Sequence, residues 1–75
     1  MEKYANRNGD SGVAGYEIGA DFIRVQFKDG AIYLYNNSNT GAANIEQMKQ
    51  LAIAGAGLNS FISRYVRKAY ARKER

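Results

Sequence analysis

Apolar and polar residues alternate along the first half of the chain in a pattern that predicts β-strands. From Phe22 to Phe27 (FIRVQF), Ile23 and Val25 are separated by polar neighbours, which is typical of a half-buried strand. Val13 to Ile18 (VAGYEI) and Ala31 to Tyr35 (AIYLY) are strand candidates on either side, and the latter is rich in aromatic residues. The pattern therefore predicts three consecutive strands.

The turn between the second and third strands decides which face of the sheet Tyr33 and Tyr35 occupy. Asp29-Gly30 is a strong hairpin signal, and one interpretation is a two-residue type I′ turn. Both tyrosines would then lie on the outer face with Arg24. Two tyrosines and an arginine on an open sheet would form a platform on which nucleobases stack.

The second interpretation is a three-residue loop, Lys28-Asp29-Gly30, in which Gly30 forms a bulge. Phe27 would then face Ala31, and Tyr33 and Tyr35 would join the apolar inner face. A change of one residue in the loop moves every following side chain to the other face. Both registers are compatible with the sequence, and we favour the second because it makes the inner face uniformly apolar.

The second half of the chain has helical spacing. Ile45, Met48 and Leu51 fall on one face of a predicted first helix, which ends at Gly55-Ala56-Gly57 because glycine is the usual helix stop. A second helix is predicted to begin near Leu58 and to run past Tyr70.

Strands followed by helices predict an α+β fold, a three-stranded antiparallel β-meander with both helices packed on one face of the sheet. We expect a flexible arm over residues 1–12, a single βββαα domain over residues 13–72 and a basic tail over residues 73–75.

Charge is distributed unevenly along the 75 residues. Residues 1 to 60 carry five Lys/Arg and six Asp/Glu, whereas residues 61 to 75 carry six Lys/Arg and one Glu. A basic segment of this kind suggests a polyanion as partner. The alternative is a solvated helix whose last-turn cations complement the helix dipole.

The composition argues against catalysis. The chain has no Cys and no His, which removes disulfides, thiolate metal sites and the usual general base. The seven carboxylates are scattered, so we predict no enzyme, no metal and no cofactor. The chain has no apolar run near the ~20 residues of a membrane span. We see no signal peptide, and we expect a cytoplasmic protein with no membrane partner.

Two stretches of the sequence share their spacing with a known family. The first is Ile23-x-Val25-x-Phe27-x-x-Gly30-x-x-Tyr33-x-Tyr35, and the second is the small-residue break at 54–57 followed by Leu58-Asn59-x-Phe61-Ile62. Over roughly residues 11 to 70 they resemble the KTSC domain. That module occurs at the C-terminus of some lysyl-tRNA synthetases and as free-standing bacterial or phage proteins.

The resemblance implies an accessory module with RNA-binding character and supplies no catalytic residues. Two positions depart from the family pattern. Asn36-Asn37-Ser38 stands where the family tends to have a Val-Pro pair, and Gly55-Ala56-Gly57 stands where it tends to have a serine.

We therefore expect a non-enzymatic module that binds RNA or another nucleic acid through phosphates. The predicted binding residues are the cations of the last helix, with contributions from the strands: Arg64, Arg67, Lys68, Arg72, Lys73, Arg75, Arg24, Tyr33 and Tyr35. The alternative is a protein-interaction or homodimerisation module that uses Phe22, Ile32 and Leu34 on the outer face.

Overall fold

The predicted α+β class is confirmed by a computed structural model that describes residues 1–7, 9 and 12–75. The strands are β1 (Glu2–Lys3), β2 (Val13–Ile18), β3 (Phe22–Phe27), β4 (Ile32–Asn36) and β5 (Arg72–Lys73). The helices are α1 (Asn37–Thr40), α2 (Ala42–Ala54) and α3 (Leu58–Phe61), and a π-helical turn (Ile62–Val66) continues directly from α3.

The sheet is antiparallel and has five strands in the order β1-β2-β3-β4-β5. Its centre, β2 to β4, is the predicted meander, but the prediction of only three strands is wrong. The two ends of the chain supply the additional strands. An isolated meander would leave the backbone groups of β2 and β4 unpaired at its edges, and the added strands pair with them.

The N-terminal arm contributes both to the sheet and to the core. Glu2 pairs with Tyr16 in β2, and Tyr4 is only 3% exposed. The Tyr4 hydroxyl accepts a hydrogen bond of 3.3 Å from the backbone N–H of Leu58 at the start of α3. The segment predicted as a flexible arm thus contains a strand and a core residue; its positions 8, 10 and 11 lie outside the described residues.

The prediction that the second helix runs past Tyr70 is wrong. Helical structure ends with the π-helical turn, and the chain then turns back to pair with β4. The N–H of Ala71 donates to the carbonyl of Leu34 at 2.7 Å, and the N–H of Glu74 donates to that of Ile32 at 2.7 Å. Lysine, arginine and alanine favour helices locally, but this pairing overrides that preference.

The residues of β5 therefore lie on an edge strand rather than on a helical face. Arg72 pairs with Leu34, and Lys73 pairs with Tyr33. The predicted basic tail over residues 73–75 begins within this strand.

The hairpin between β3 and β4 has the three-residue loop that we favoured, and the two-residue interpretation is wrong. The N–H of Phe27 donates to the carbonyl of Ala31 at 2.8 Å, and Gly30 has a φ of +95°. Val25 consequently pairs with Tyr33. Tyr33 and Tyr35 therefore lie on the inner face, opposite the face that a two-residue turn would give them.

The core lies between the inner face of the sheet and the helices. Ile23 and Val25 in β3 are fully buried, as is Leu58 in α3. Helix α2 ends at Ala54, as predicted, because Gly55 adopts the left-handed conformation (φ +76°) and its N–H caps the carbonyl of Leu51. The buried cluster comprises Tyr4, Val13, Ile23, Val25, Tyr35, Ile45, Met48, Ala52, Leu58, Ile62 and Val66.

Candidate nucleic-acid interface

An open cleft of about 620 Å³ lies between the β3–β4 hairpin and the helical segment that begins at α3. Three tyrosines from two distant parts of the chain line it: Tyr33 and Tyr35 from β4, and Tyr70 from the segment before β5. We refer to it as the tyrosine cleft. Its volume is within the range of small-molecule binding sites.

The aromatic rings of the cleft contact one another in a chain. Phe27 and Tyr33 meet edge to face with ring centroids 5.6 Å apart. Tyr70 packs in the same manner against Tyr33 at 4.8 Å and against Tyr35 at 6.4 Å. This is the preferred geometry of aromatic pairs, so the lining is an ordered aromatic surface.

Hydrogen bonds made by the two residues that flank Tyr70 fix its position, and no helix contains it. The buried Thr40 donates its hydroxyl to the carbonyl of Ala69 at 2.6 Å, and the N–H of Ala71 is bonded to β4. Tyr70 itself is 36% exposed, whereas Tyr35 is 1% exposed. The cleft thus has a buried tyrosine at its base and an exposed one at its mouth.

The hydroxyl of Tyr35 reaches the surface of the cleft, and it makes no hydrogen bond to any described residue. Burial, with Tyr33 and Tyr70 adding to it, raises the pKa of Tyr35 to about 12. The hydroxyl therefore stays protonated at neutral pH and can donate a hydrogen bond to a bound molecule.

Four cations surround the aromatic lining. Lys28 comes from the hairpin loop, Arg67 and Lys68 follow the π-helical turn, and Lys73 comes from β5. In the described part of the chain, none of the four forms an ion pair. The Lys73 ammonium lies 5.9 Å from the centroid of the Tyr33 ring, which is within cation–π range.

Among the described residues, one carboxylate, that of Asp29, lines the same cleft. Its Oδ1 accepts a hydrogen bond of 3.0 Å from the N–H of Ala31, which stabilises the hairpin loop. The four cations therefore outnumber the acid, and the tyrosine cleft is positively charged.

The π-helical turn helps to aim Arg67 into the cleft. A π-helical hydrogen bond joins residues five apart, so position 67 lies next to position 62, one turn further along the chain. Ile62 and Arg67 both line the cleft, whereas Tyr65 on the other side of the turn is 64% exposed. Such turns occur often at functional sites.

The cations on the outer face of the sheet are paired instead. Arg24 contacts Glu74 at 2.8 Å and Glu17 at 3.1 Å, and Arg72 contacts Glu74 at 3.1 Å. The hydrogen bond from Arg24 lowers the pKa of Glu74, and the same bond raises the pKa of Arg24. We call these four residues the outer-face network.

The structure divides the predicted binding residues into three groups. Those in the tyrosine cleft are Arg67, Lys68, Lys73, Tyr33 and Tyr35. Arg24 and Arg72 belong to the outer-face network. Arg64 and Arg75 are exposed and line neither feature.

Three further residues line the cleft that were not among the predicted binding residues: Lys28, Asn59 and Tyr70. Lys28 could have been predicted, because the three-residue loop that we favoured places it beside the inner-face tyrosines. Tyr70 could not, because a continuous helix would have directed it away from β4.

Within residues 1–7, 9 and 12–75, no three His, Cys, Asp or Glu side chains are grouped as a metal ion would need. The same part of the chain contains no helix with the length and apolar character needed to cross a membrane.

Comparison of the chain with family models, curated proteins and solved structures gave no match. The resemblance to the KTSC domain therefore rests on the spacing of the residues themselves.

Proposed function

We propose that this protein is a small non-enzymatic accessory module that binds RNA or another single-stranded nucleic acid in the tyrosine cleft. One observation carries the proposal: an aromatic surface and cations that form no ion pair with any described residue line the same cleft. Cations neutralise phosphates and release counterions, while aromatic rings stack on bases. Either feature alone has an ordinary structural explanation, but their combination fits a ligand that is both anionic and aromatic.

The location of the proposed site differs from the one expected from sequence. A basic helix would bind phosphates along one face, whereas the cleft draws cations from a hairpin loop, a helical turn and an edge strand. The resemblance to the KTSC domain supports an RNA-related role in the cytoplasm. Asp29, the one carboxylate among the described lining residues, is already bonded to Ala31, which supports a role without acid–base catalysis.

The decisive experiment compares two double variants with equal changes in net charge. Arg67→Gln with Lys68→Gln removes two cleft cations, and Arg64→Gln with Arg75→Gln removes two cations outside it. We expect the cleft variant to lose about tenfold or more in affinity for a labelled single-stranded RNA pool at about 50 mM salt. Its salt dependence should also become shallower, since fewer counterions are released.

The control variant should bind nearly as well as the unmodified protein. Equal losses in both variants would show that affinity follows net charge and not the cleft. An unmodified protein that binds no RNA at low salt would end the proposal.

A protein-interaction or homodimerisation module is the second candidate function. Three exposed apolar side chains favour it: Met1, Ile18 and Ile53 border a second cavity of about 510 Å³, and Ile53 is 67% exposed. This patch differs from the one expected from sequence, because Phe22, Ile32 and Leu34 are half-buried. Sedimentation at high concentration tests it: self-association that Ile53→Lys abolishes would support this candidate, and a strict monomer would rule out homodimerisation.

A further inference from the structure

We infer that the tyrosine cleft holds one unpaired nucleotide, with its base against the tyrosines and its phosphate among the surrounding cations. The inference rests on the proposed function and specifies its ligand: a single nucleotide unit rather than a length of backbone. Three features of the cleft lead to it: its size, its unused polar groups and the placement of its charges.

The size and shape of the cleft select an unpaired base. Its volume of about 620 Å³ suits a molecule of nucleotide size. The aromatic rings lie on the inner face, between the sheet and the helical segment, so a base must enter the cleft to contact them. Bases inside a duplex are already stacked on their neighbours and cannot enter without being flipped out, which costs a few kcal/mol.

The polar groups of the cleft suit the edge of a base. Tyr35 is 1% exposed, and its hydroxyl reaches the surface of the cleft without a hydrogen bond to any described residue. Asn59 also lines the cleft, and its side-chain amide makes no hydrogen bond within the described chain. An amide offers both donors and an acceptor. A nucleobase that enters the cleft can satisfy both groups, whereas a phosphate chain passing over the mouth would reach neither.

The charges lie around the aromatic surface rather than along a line. Lys28, Lys73 and the Arg67–Lys68 pair come from three different elements that meet at the cleft. Arg67 and Lys68 are exposed. This placement matches one phosphate next to one base. Arg24 and Arg72 on the sheet do not extend this group of cations, because they are paired with acids on the outer face.

The test uses small probes and a matched pair of exposed tyrosines. Calorimetry or amide-shift titration would measure binding of uridine and adenosine monophosphates, the corresponding nucleosides and inorganic phosphate. We expect each monophosphate to bind more tightly than its nucleoside or phosphate alone, and to displace single-stranded RNA. Duplex RNA should compete at least about tenfold less well.

Tyr70→Ala should weaken monophosphate binding about fivefold or more, because stacking on an aromatic side chain is lost. Tyr65→Ala removes a tyrosine outside the cleft that is more exposed than Tyr70, and it should leave binding unchanged. Tyr35→Phe keeps the buried ring but removes the hydroxyl, and we expect about a threefold to tenfold loss. Circular dichroism would check that each variant is folded.

The outcomes separate this inference from the proposed function. RNA binding that monophosphates cannot displace, and that Tyr70→Ala and Tyr35→Phe leave intact, would overturn the nucleotide site while keeping a phosphate-binding surface. Inorganic phosphate that binds as tightly as the monophosphates would also overturn it. Absence of RNA binding together with absence of monophosphate binding would end both.

Discussion

The two faces of the sheet differ in whether their cations form ion pairs. On the outer face, Arg24 and Arg72 are paired with acids, and the Arg24 guanidinium also lies 4.8 Å from the centroid of the Phe22 ring. On the inner face, Lys73 points into the tyrosine cleft without an ion-pair partner among the described residues. Arg72 and Lys73 are neighbours in β5, and alternation along the strand sends them to opposite faces.

This contrast shows that a count of cations does not locate a binding surface. The last fifteen residues contain six Lys/Arg, but only three of those cations line the cleft. A paired cation must first leave its carboxylate before it can bind a phosphate. The pattern of pairing, rather than the charge density of the segment, identifies the face on which an anion can bind.

The largest effect on stability should come from the buried side of β3. Ile23 is fully buried, and Ile23→Ala should lower the free energy of unfolding by about 2–5 kcal/mol. Arg24, the next residue, faces the other way, and Arg24→Gln should have a much smaller effect because exposed ion pairs contribute little. Urea denaturation compares the two, and equal losses would contradict the division between core face and ionic face.

The buried tyrosine should make the protein sensitive to alkali. Tyr35 has a folded-state pKa of about 12 against an ordinary value of 10.0. Because the pKa is raised, the folded state holds the phenol proton more tightly than the unfolded state does. This contribution to stability is complete below pH 10, the pKa of the unfolded state, and is lost as pH rises towards 12. We expect a loss of about 2 kcal/mol between pH 10 and pH 12. Other groups titrate there too, so the measurement is the difference from Tyr35→Phe, which should lack this part of the pH dependence.

A substitution at Gly30 in the hairpin loop should lower the free energy of unfolding through backbone strain alone. Gly30 has a φ of +95°, and a Cβ added there would meet no atom within 4 Å. Gly30→Ala should therefore destabilise the fold by about 1–2 kcal/mol through conformation and not through a clash. Lys28→Ala in the same loop is the control, because Lys28 does not have a positive φ. A thermal melt that is identical for Gly30→Ala and the unmodified protein would contradict the bulge.

The smallest effect should appear on the outer face in acid. The pKa of Glu74 is lowered, chiefly by its hydrogen bond with Arg24. A lowered pKa gives stability that is present above the ordinary value of 4.5 and is lost as pH falls towards the folded-state value. Acid unfolding of Glu74→Gln should be less steep than that of the unmodified protein. Superimposable curves would show that the outer-face network contributes nothing to stability.

The central part of the fold could be predicted because its signals are local. Alternation defined β3, Asp29-Gly30 marked the hairpin, and Gly55 marked the end of α2. Each of these signals acts within a few residues. The sequence left two faces open for Tyr33 and Tyr35, and the observed register is the one that we favoured because it makes the inner face uniformly apolar.

The edges of the sheet could not be predicted because they depend on distant pairing. The last residues of the chain favour a helix locally. They form β5 instead because β4 offers unpaired backbone groups at the edge of the sheet. Two lining residues of the tyrosine cleft, Tyr70 and Lys73, owe their positions to that pairing. The sequence therefore indicated a basic and aromatic segment, but it predicted a continuous helix where the structure has a turn and an edge strand.

The shortness of β5 has a consequence for the ligand binding proposed above. A two-residue edge strand is the kind of element that opens locally at a small fraction of the global unfolding energy. When β5 detaches, Lys73 leaves the cleft while Ile23, Val25 and Leu58 stay packed. A ligand that contacts Lys73 stabilises the closed form and should slow hydrogen exchange at the N–H groups of Ala71 and Glu74.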